Sequence, residues 1–274
     1  MKKKIVIAIL TYNSEKIIKK TILAAKKITN DIVILDSYST DNTIKIIKSF
    51  NCKILRKKFV NYSSQRNFLI RKCNKLYEWQ LHLDSDEILS KELTKNIKNV
   101  IKENNKNFSF LVKRQVFFLN KKIIFGGSSN WHLRLFPSNS TMVEDKAYDQ
   151  HYISKLKSKN LKGYLYDMNT QNLYNWINTH NKWSELEIFE KKKNTNIKKI
   201  VNANLFGNKI ERLRFFKNIF YYFPSNIRPF LLFFYKYFFL LGFMDGKVGF
   251  YYCFFNSLWF RILNDAKKYE LKLK

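Results

Sequence analysis

The chain has 274 residues, 46% of them hydrophobic and 17% aromatic, and it carries a formal net charge of +30 at pH 7. This length allows one large domain or a domain with an appendage, and the charge indicates an anionic partner, such as a phosphorylated substrate or acidic lipid headgroups. Nucleic acid is disfavoured because no Arg-rich base-reading pattern or zinc-finger spacing occurs. Three scattered cysteines imply neither a disulfide framework nor a cysteine metal site.

The first 56 residues alternate short apolar runs with amphipathic segments. This pattern predicts strands at 4–10, 31–35 and 53–56 and helices at 15–28 and 41–50. Ser14 is the expected N-cap of the first helix. Strand, helix, strand, helix, strand at this spacing is typical of half of a doubly wound, mostly parallel α/β sheet with helices on both faces.

Neither G-x-G-x-x-G nor G-K-[ST] follows the first two strands, so the chain lacks a glycine-rich phosphate-binding loop there. A nucleotide would therefore be held by side chains at strand ends. The candidates are the 11–15 loop, Asp36 and the segment 64–67, which also begins a predicted helix that runs to Lys72.

An apolar strand predicted at 78–83 ends in Asp84-Ser85-Asp86-Glu87, three acids within four residues. A strand that ends in Asp-x-Asp places carboxylate oxygens at the carboxyl edge of a sheet, where open α/β folds bind ligands. Such oxygens suit Mg²⁺ or Mn²⁺, which share their coordination shell with substrate phosphates. Taken alone, the motif is also compatible with a strand that simply runs into an acidic loop.

The next elements predicted are a helix at 91–104 and strands at 108–114, 116–119 and 131–136. A second acidic stretch follows at 143–151. Its acidic residues are Glu144, Asp145 and Asp149, and a solvated acidic turn remains the alternative to a catalytic role. His82 lies inside a predicted strand and is expected to be structural.

Four motifs occur in a specific order: Thr-Tyr-Asn-Ser-Glu at 11–15, Val-Ile-Leu-Asp-Ser-x-Ser-Thr-Asp at 33–41, Gln-Arg-Asn at 65–67 and Leu-Asp-Ser-Asp-Glu at 83–87. This order resembles the nucleotide-sugar half of family 2 glycosyltransferases, which have the GT-A fold. The resemblance covers residues 4 to about 90. Within the family, the chain resembles bacterial enzymes that build lipopolysaccharide cores and other surface glycans.

The resemblance implies a role for each of these motifs in binding a UDP-sugar donor. The side chains that would line the nucleotide are Thr11, Tyr12, Asn13 and Glu15. Asp36 is expected to contact uracil or ribose, and Arg66 is expected to lie near the base or the phosphates. Asp84 and Asp86 would hold the ribose and the metal–diphosphate, with Asp86 as the direct ligand of Mg²⁺ or Mn²⁺.

An inverting transfer needs a carboxylate that takes a proton from the acceptor hydroxyl, away from the metal carboxylates. The resemblance places this base in the second acidic stretch, with Asp149 preferred and Asp145 and Glu144 next. His151 would orient the base or touch a phosphate. Arg134, in Arg-Leu-Phe, lies on a strand that resembles the family's acceptor-side strand, and it is assigned to donor binding.

One position departs from the pattern of the family. Related enzymes often have a histidine, a third metal ligand, where this chain has Met168. Asp167 or a water would then have to complete the metal site.

From Asn204 onward, basic residues alternate with aromatic ones, and two apolar helices are predicted, at 230–241 and in a second segment that ends at Leu263. Charged residues interrupt the run, so neither helix is predicted to span a membrane. Aromatic, basic and amphipathic character together favours helices that lie in an anionic membrane interface. A helical subdomain that covers the sheet, or a homo-oligomer interface, remains the alternative.

The sequence therefore predicts a GT-A domain at 1–200, with a nucleotide-sugar half at 1–107 and an acceptor half at 108–200, and a membrane-associating helical region at 201–274. The functional hypothesis is an inverting hexosyltransferase, peripheral on the cytoplasmic face of a bacterial inner membrane. Its acceptor would be a lipid-carried glycan such as a lipooligosaccharide core. The alternatives are a transferase that acts on a polyprenyl-linked capsule or protein-glycan precursor, and a non-catalytic, membrane-bound sugar-nucleotide binder.

Overall fold

The structure, a computed structural model, describes residues 2–145, 150–168, 172–193, 204–206, 215, 218–220 and 222–273. The chain forms two compact units. The first comprises residues 1–124 and 128–171, and the second comprises residues 125–127 and 172–274. The division thus falls near residue 171, whereas the sequence placed it after residue 200, because the long helix that begins at Leu173 belongs to the second unit.

The first unit is built on strands β1 Lys3–Thr11, β2 Ile32–Asp36, β3 Lys53–Arg56, β4 Tyr77–Asp84, β5 Glu87–Leu89, β6 Phe108–Phe118, β7 Lys121–Lys122, β8 Asn130–Pro137, β9 Thr141–Val143, β10 Tyr152–Ser154 and β11 Lys157–Asp167. Nine of them form one sheet, in the order β3-β2-β1-β4-β8-β6-β11-β5 with β7 paired to β6. The first four strands in this order are parallel, whereas β8 is antiparallel to both of its neighbours. Strands β9 and β10 form a separate antiparallel pair.

The described part of this unit has four helices: α1 Ile18–Lys26, α2 Thr43–Ser49, α3 Tyr62–Asn74 and α4 Lys91–Glu103. Helix α3 begins earlier than predicted because the Asn61 side chain caps it, accepting from the Ser64 N–H at 2.7 Å. Helix α1 begins later than predicted, at Ile18, and the expected cap is wrong. The Ser14 hydroxyl instead donates to the Tyr12 carbonyl (3.0 Å) and lies 2.7 Å from the Ser85 hydroxyl.

The inner strands are buried on both faces, as their unbroken apolar runs predict. Alternate residues of β1 enter different clusters of the core. Ile7 and Ile9 pack in a cluster that includes α1 and α4, whereas Val6 and Ala8 pack with Leu69 of α3. Helices therefore cover both faces of the sheet, as predicted.

The register of the parallel strands places three strand ends at one edge of the sheet. Thr11 pairs with Asp36, and Leu10 pairs with Asp84. The loops after β1, β2 and β4 thus lie next to one another, at the edge where open α/β sheets bind ligands. Farther along the sheet, the two strands predicted at 108–114 and 116–119 form one strand, β6, because Gln115 continues the ladder by pairing with Tyr166.

In its described residues the second unit contains α5 Leu173–Lys193, α6 Arg228–Phe234, a π-helical turn Tyr235–Phe239, a 3₁₀ turn Gly242–Asp245, α7 Gly246–Cys253, a π-helical segment Phe254–Trp259 and α8 Phe260–Leu273. Helix α5 packs on α8, where Glu187 accepts hydrogen bonds from Arg261 (3.0 Å) and Asn264 (3.0 Å). Within the described ranges no single helix is long and apolar enough to cross a membrane. The helices 228–239 and 242–273 meet that test only as a pair, bent by 70°.

Candidate active site

The loops that follow β1 and β2 are joined by two residues predicted to line the nucleotide. The Asn13 N–H donates to Ser39 Oγ (2.9 Å), and Asn13 Oδ1 accepts from the Thr40 N–H (2.8 Å). The Glu15 carboxylate accepts from both the backbone and the side chain of Asn42, each at 3.0 Å. Asn13 and Glu15 therefore fix the shape of this edge of the site.

Asp36 ends β2, and its fully buried carboxylate stabilises the turn that follows. It accepts from the N–H groups of Tyr38 (3.0 Å) and Ser39 (3.1 Å) and from the Ser39 hydroxyl (2.5 Å). Its strand neighbour Thr11 is buried, whereas the Tyr12 and Tyr38 rings are more than half exposed. Tyr38 has a φ of +66°, which is uncommon for a tyrosine and places strain at this turn. Two aromatic rings thus lie exposed beside a rigid turn.

The Gln-Arg-Asn motif lies on α3, and its three side chains reach three different parts of the unit. Gln65 donates to a serine hydroxyl in the turn after β2 (3.2 Å). Arg66 donates to Asp84 at the end of β4 (2.7 Å). Asn67 forms two hydrogen bonds with the backbone of β9 (2.8 and 2.9 Å). The motif therefore joins the two strand ends of the site to the β9–β10 pair.

Asp84 lies between two buried arginines. Its Oδ1 is 2.7 Å from Arg66 Nη2 and its Oδ2 is 3.1 Å from Arg134 Nη2, and Arg134 Nη2 also lies 2.5 Å from Glu87 Oε1. Burial disfavours the charge on Asp84, but Arg66 and Arg134 outweigh it and hold its pKa well below the ordinary value. Burial likewise opposes the charge on Arg134, yet Glu87 and Asp84 raise its pKa. The charge of Asp84 is therefore compensated within the protein.

Tyr152 of β10 stands beside both arginines, and sequence reasoning assigned it no role. Its hydroxyl accepts from Arg66 Nη1 (2.8 Å), and the guanidinium carbons of Arg66 and Arg134 lie 5.4 and 5.9 Å from its ring centroid. These distances are within the range of cation–π attraction. Tyr152 thus helps to hold the two arginines against Asp84. The only signal in the sequence was an aromatic residue directly after the second acidic stretch.

Asp86 has a different environment from Asp84. Burial, followed by the nearby carboxylates of Asp167, Asp84 and Glu87, raises its pKa well above the ordinary value. Asp167 is brought here because β5 pairs with the end of β11, where Asp167 lies opposite Glu87, and because the Met168 N–H donates to the Asp86 carbonyl (2.9 Å). Of the two alternatives for the third metal ligand, Asp167 or a water, the structure places the Asp167 carboxylate near Asp86.

The acids around Asp86 fit a divalent cation. A divalent cation would offset the mutual repulsion among these carboxylates. Carboxylate oxygens are also the ligand atoms that Mg²⁺ and Mn²⁺ prefer. In the part of the chain that the structure describes, no three His, Cys, Asp or Glu side chains enclose a metal position by themselves. A cation bound by Asp86, with Asp167 as a second carboxylate, would take its other ligands from water and substrate phosphates.

The second acidic stretch lies in the connection between β9 and β10. The Glu144 N–H donates to the His151 carbonyl (3.0 Å), which closes the pair of strands at this point. Glu144 is half-buried, and Asp145 and His151 are exposed. Asp149, the preferred base, lies outside the described residues. The assignment of a catalytic base among these three acids stays a prediction.

Two histidines of the sheet, the buried His82 and the half-buried His132, lie in surroundings that lower their pKa. Burial, followed by the charges of Arg134 and Arg114, lowers the pKa of His132 to about 2. Burial also lowers the pKa of His82, which stacks on Phe136 with ring centroids 5.1 Å apart. Neither histidine is suited to accept a proton at neutral pH. His82 is structural, as predicted.

The family model of glycosyl transferase family 2 matches residues 6–156. This match covers more than half of the chain and includes the loops after β1 and β2, the acidic turn after β4 and the β9–β10 connection. The chain belongs to glycosyl transferase family 2. The family predicted from the four motifs is thereby confirmed, and so is the α/β sheet of the GT-A fold.

Curated relatives match only part of this family 2 glycosyltransferase. An uncharacterized glycosyltransferase of Rickettsia typhi is 34% identical over 105 residues, which cover 38% of this chain and 35% of the relative. SunS, an SPbeta prophage-derived glycosyltransferase of Bacillus subtilis, is 40% identical over 87 residues, which cover 31% of this chain and 20% of SunS. The matched segment thus spans about a third or less of these relatives' length.

Solved structures with similar folds are more distant in sequence. Staphylococcus aureus TarS aligns over 98% of this family 2 glycosyltransferase and 92% of its own chain, with 15% identity and a TM-score of 0.44. The mannosyltransferase PcManGT of Pyrobaculum calidifontis, in complex with GDP-Man and Mn²⁺, aligns over 73% of this chain and 66% of its own, with 10% identity and a TM-score of 0.43. Likeness at this level gives no correspondence between individual residues.

Proposed function

We propose that this family 2 glycosyltransferase transfers a hexose from a UDP-sugar to a hydroxyl of a lipid-carried glycan, with inversion at the anomeric carbon. The observation that supports the proposal most is the contrast at the end of β4. Asp84 is neutralised by Arg66 and Arg134, while Asp86 lies among further carboxylates. Such an edge offers both fixed cations for a leaving diphosphate and acids for a divalent cation.

The nucleotide would lie across the carboxyl ends of β1, β2 and β4. The exposed rings of Tyr12 and Tyr38 are available to contact the base, and Asp36 holds the turn that carries Tyr38. Arg66 and Arg134 would bind phosphate oxygens of the donor. Because both guanidinium groups are already oriented by Asp84, little reorganisation is needed when the donor binds.

Asp86 and Asp167 would hold the Mg²⁺ or Mn²⁺. When bound, this cation stabilises negative charge on the leaving diphosphate. The turn that carries Asp86 is held in place by a hydrogen bond from helix α1. The Thr21 hydroxyl donates to the Ser85 carbonyl (2.6 Å).

A carboxylate of the β9–β10 connection would act as the general base. It takes the proton of the acceptor hydroxyl while that oxygen bonds to the anomeric carbon and the bond to the diphosphate breaks. Asp149 is the first candidate, and Asp145 and Glu144 are the alternatives. His151 would orient this base or contact a phosphate.

We place the enzyme on the cytoplasmic face of a bacterial inner membrane as a peripheral protein, with a lipooligosaccharide core as the type of acceptor. In residues 172–274, Lys and Arg number 18 against 7 Asp and Glu. This excess supports attraction to acidic headgroups, to which each basic residue near the surface contributes about 1 kcal/mol.

A transfer assay tests this proposal. The full chain, given a panel of UDP-hexoses, Mg²⁺ or Mn²⁺ and a lipid extract as acceptor, should release UDP and form a glycosylated lipid. Asp149→Asn should lower kcat by about 10²–10⁴-fold and leave UDP affinity unchanged. A wild-type chain that binds no UDP by calorimetry with either metal would refute the donor assignment. If Asp149→Asn were active and Asp145→Asn or Glu144→Gln inactive, the base would be reassigned.

A further inference from the structure

Helix α6 and the π-helical and 3₁₀ turns that follow it present an exposed face of aromatic and aliphatic side chains. Six of the large apolar side chains between residues 230 and 244 are 45–79% exposed: Phe230, Phe234, Phe238, Phe239, Phe243 and Met244. Single exposed apolar residues are ordinary on a protein surface, but a contiguous set of this kind marks an interaction site.

The two charged side chains within residues 229–246 are engaged away from this face. Lys236 Nζ donates to Asn256 Oδ1 (3.1 Å), and an oxygen of the Asp245 carboxylate accepts from the Phe125 N–H (2.9 Å). Both side chains are half-buried. The exposed rings therefore follow one another without an exposed charge between them.

Close contacts behind the face keep it in place. A Cβ on Gly242 would lie 2.6 Å from Cys253 Sγ, and one on Gly126 would lie 2.9 Å from the same sulfur. The Gly126 N–H also donates to the Leu240 carbonyl (2.8 Å). The backbone at Gly126, Leu240 and Gly242 is thus closely packed, with Cys253 Sγ against both glycines, so the segment that carries the rings is held in place.

Charge favours a lipid surface over a second copy of the chain as the occupant. The second unit has the strong excess of basic residues given above, so two copies meeting through this face would bring like charges together. Acidic headgroups would instead be attracted. Among the described residues, the helices 228–239 and 242–273 are apolar enough for a membrane only as a pair, bent by 70°.

We propose that residues 228–251 form a preformed wedge that enters one leaflet of an anionic membrane, with Phe239 as its most exposed ring. The exposed rings of the wedge contribute apolar burial, and the exposed Lys247 together with basic residues outside the wedge contributes electrostatic attraction. This inference rests on the proposed function for a lipid-carried acceptor, and it names the element that brings the enzyme to that acceptor.

Co-sedimentation of the full chain with phosphatidylcholine vesicles, containing or lacking phosphatidylglycerol, tests the wedge. The test variant is Phe238→Gln/Phe239→Gln. The matched control is Tyr174→Gln/Tyr269→Gln, which removes two rings of the same unit that are 72% and 66% exposed. The wild type should bind the anionic vesicles, the test variant should bind about 10- to 100-fold more weakly, and the control should stay within about twofold of the wild type. A second test variant, Phe230→Gln/Met244→Gln, should reproduce the loss if the first one fails to fold.

The proposal would be overturned if vesicle binding were weakened equally in the test variant and the control. It would also be overturned if the wild type did not bind anionic vesicles at low salt. A wild-type dimer in light scattering that Phe238→Gln/Phe239→Gln converts to monomers would assign the face to a second copy instead. UDP binding without vesicles should be the same in all variants. A chain that binds vesicles through residues 228–251 but binds no UDP would refute the proposed function and leave the wedge standing.

Discussion

Asp84 and Asp86 are two residues apart in one turn, yet their surroundings carry charges of opposite sign. Asp84 lies between arginines, whereas Asp86 lies among other acids. Helix α3 and strand β8 bring Arg66 and Arg134 to Asp84. The antiparallel pairing of β5 with β11 brings Asp167 to Asp86. The first acid is therefore a fixed part of the scaffold, whereas the second lies among acids that disfavour its negative charge. Two residues of one motif thus have different physical roles, and their substitutions should differ in kind.

Asp86→Asn should have the largest effect on transfer and the smallest on folding. A metal contributes several kcal/mol of transition-state stabilisation, so turnover should fall by roughly 10³-fold or more. The same change removes repulsion from three neighbouring carboxylates, so the Tm measured in EDTA should stay constant or rise. Steady-state kinetics and thermal denaturation of one preparation measure both. Wild-type turnover in Asp86→Asn would remove the basis for a metal at this turn.

Asp84→Asn should behave in the opposite way, with a clear loss of stability. It leaves the buried Arg66 without its main counter-charge and removes one of the two carboxylates that pair with Arg134, and breaking a buried ion pair usually costs about 3–5 kcal/mol. Because the Asp84 side chain is 31% exposed, the free energy of unfolding should fall by less, about 2–3 kcal/mol. Urea denaturation of this variant beside Asp86→Asn gives the comparison. Equal stabilities for the two variants would mean that the difference in environment has no energetic consequence.

The nucleotide-sugar half was predictable because its information is local. Unbroken apolar runs marked β1, β2 and β4, and parallel strands of one sheet end at the same edge, so Thr11, Asp36 and Asp84 had to lie close together. The four ordered motifs identified the family for the same reason. Ser14 shows the limit of a local rule: its hydroxyl faces Ser85, 71 residues away, and is not used as a cap.

The other side of the site depends on long-range pairing that periodicity does not specify. Arg134 reaches Asp84 only because β8 inserts antiparallel between β4 and β6. Asp167 reaches Asp86 only through the pairing of the short strand β5 with β11, and Tyr152 lies on a strand of three residues. Which acid is compensated and which is not therefore could not be read from Asp-Ser-Asp-Glu itself.

Asp167→Asn tests whether Asp167 contributes to the metal site together with Asp86. Loss of a supporting group at a metal site typically lowers metal affinity by about 10–100-fold. The Mn²⁺ concentration that half-saturates UDP binding should rise by that factor, while kcat at saturating Mn²⁺ should change less. Met168→Leu is the control, because its backbone N–H bond to the Asp86 carbonyl is retained. Equal Mn²⁺ dependence in Asp167→Asn and the wild type would limit the metal site to Asp86.

Tyr152→Phe should have the smallest effect of these substitutions. It tests how much the Tyr152 hydroxyl contributes to holding the arginines at Asp84. The change removes the hydroxyl that accepts from Arg66 and keeps the ring that lies against both guanidinium groups. One such hydrogen bond contributes about 0.5–1.5 kcal/mol, so kcat/KM should fall roughly threefold to tenfold with little change in Tm.

A double-mutant cycle with Arg66→Lys shows whether Tyr152 acts through that arginine. Lysine keeps the charge but cannot bond to Asp84 and the Tyr152 hydroxyl with the same planar fork. If Tyr152 positions Arg66, Tyr152→Phe should add little to the loss in the Arg66→Lys background, because the two changes remove one shared interaction. Fully additive losses would mean that the tyrosine hydroxyl supports the site by another route, and only its ring would then remain part of the arrangement that compensates Asp84.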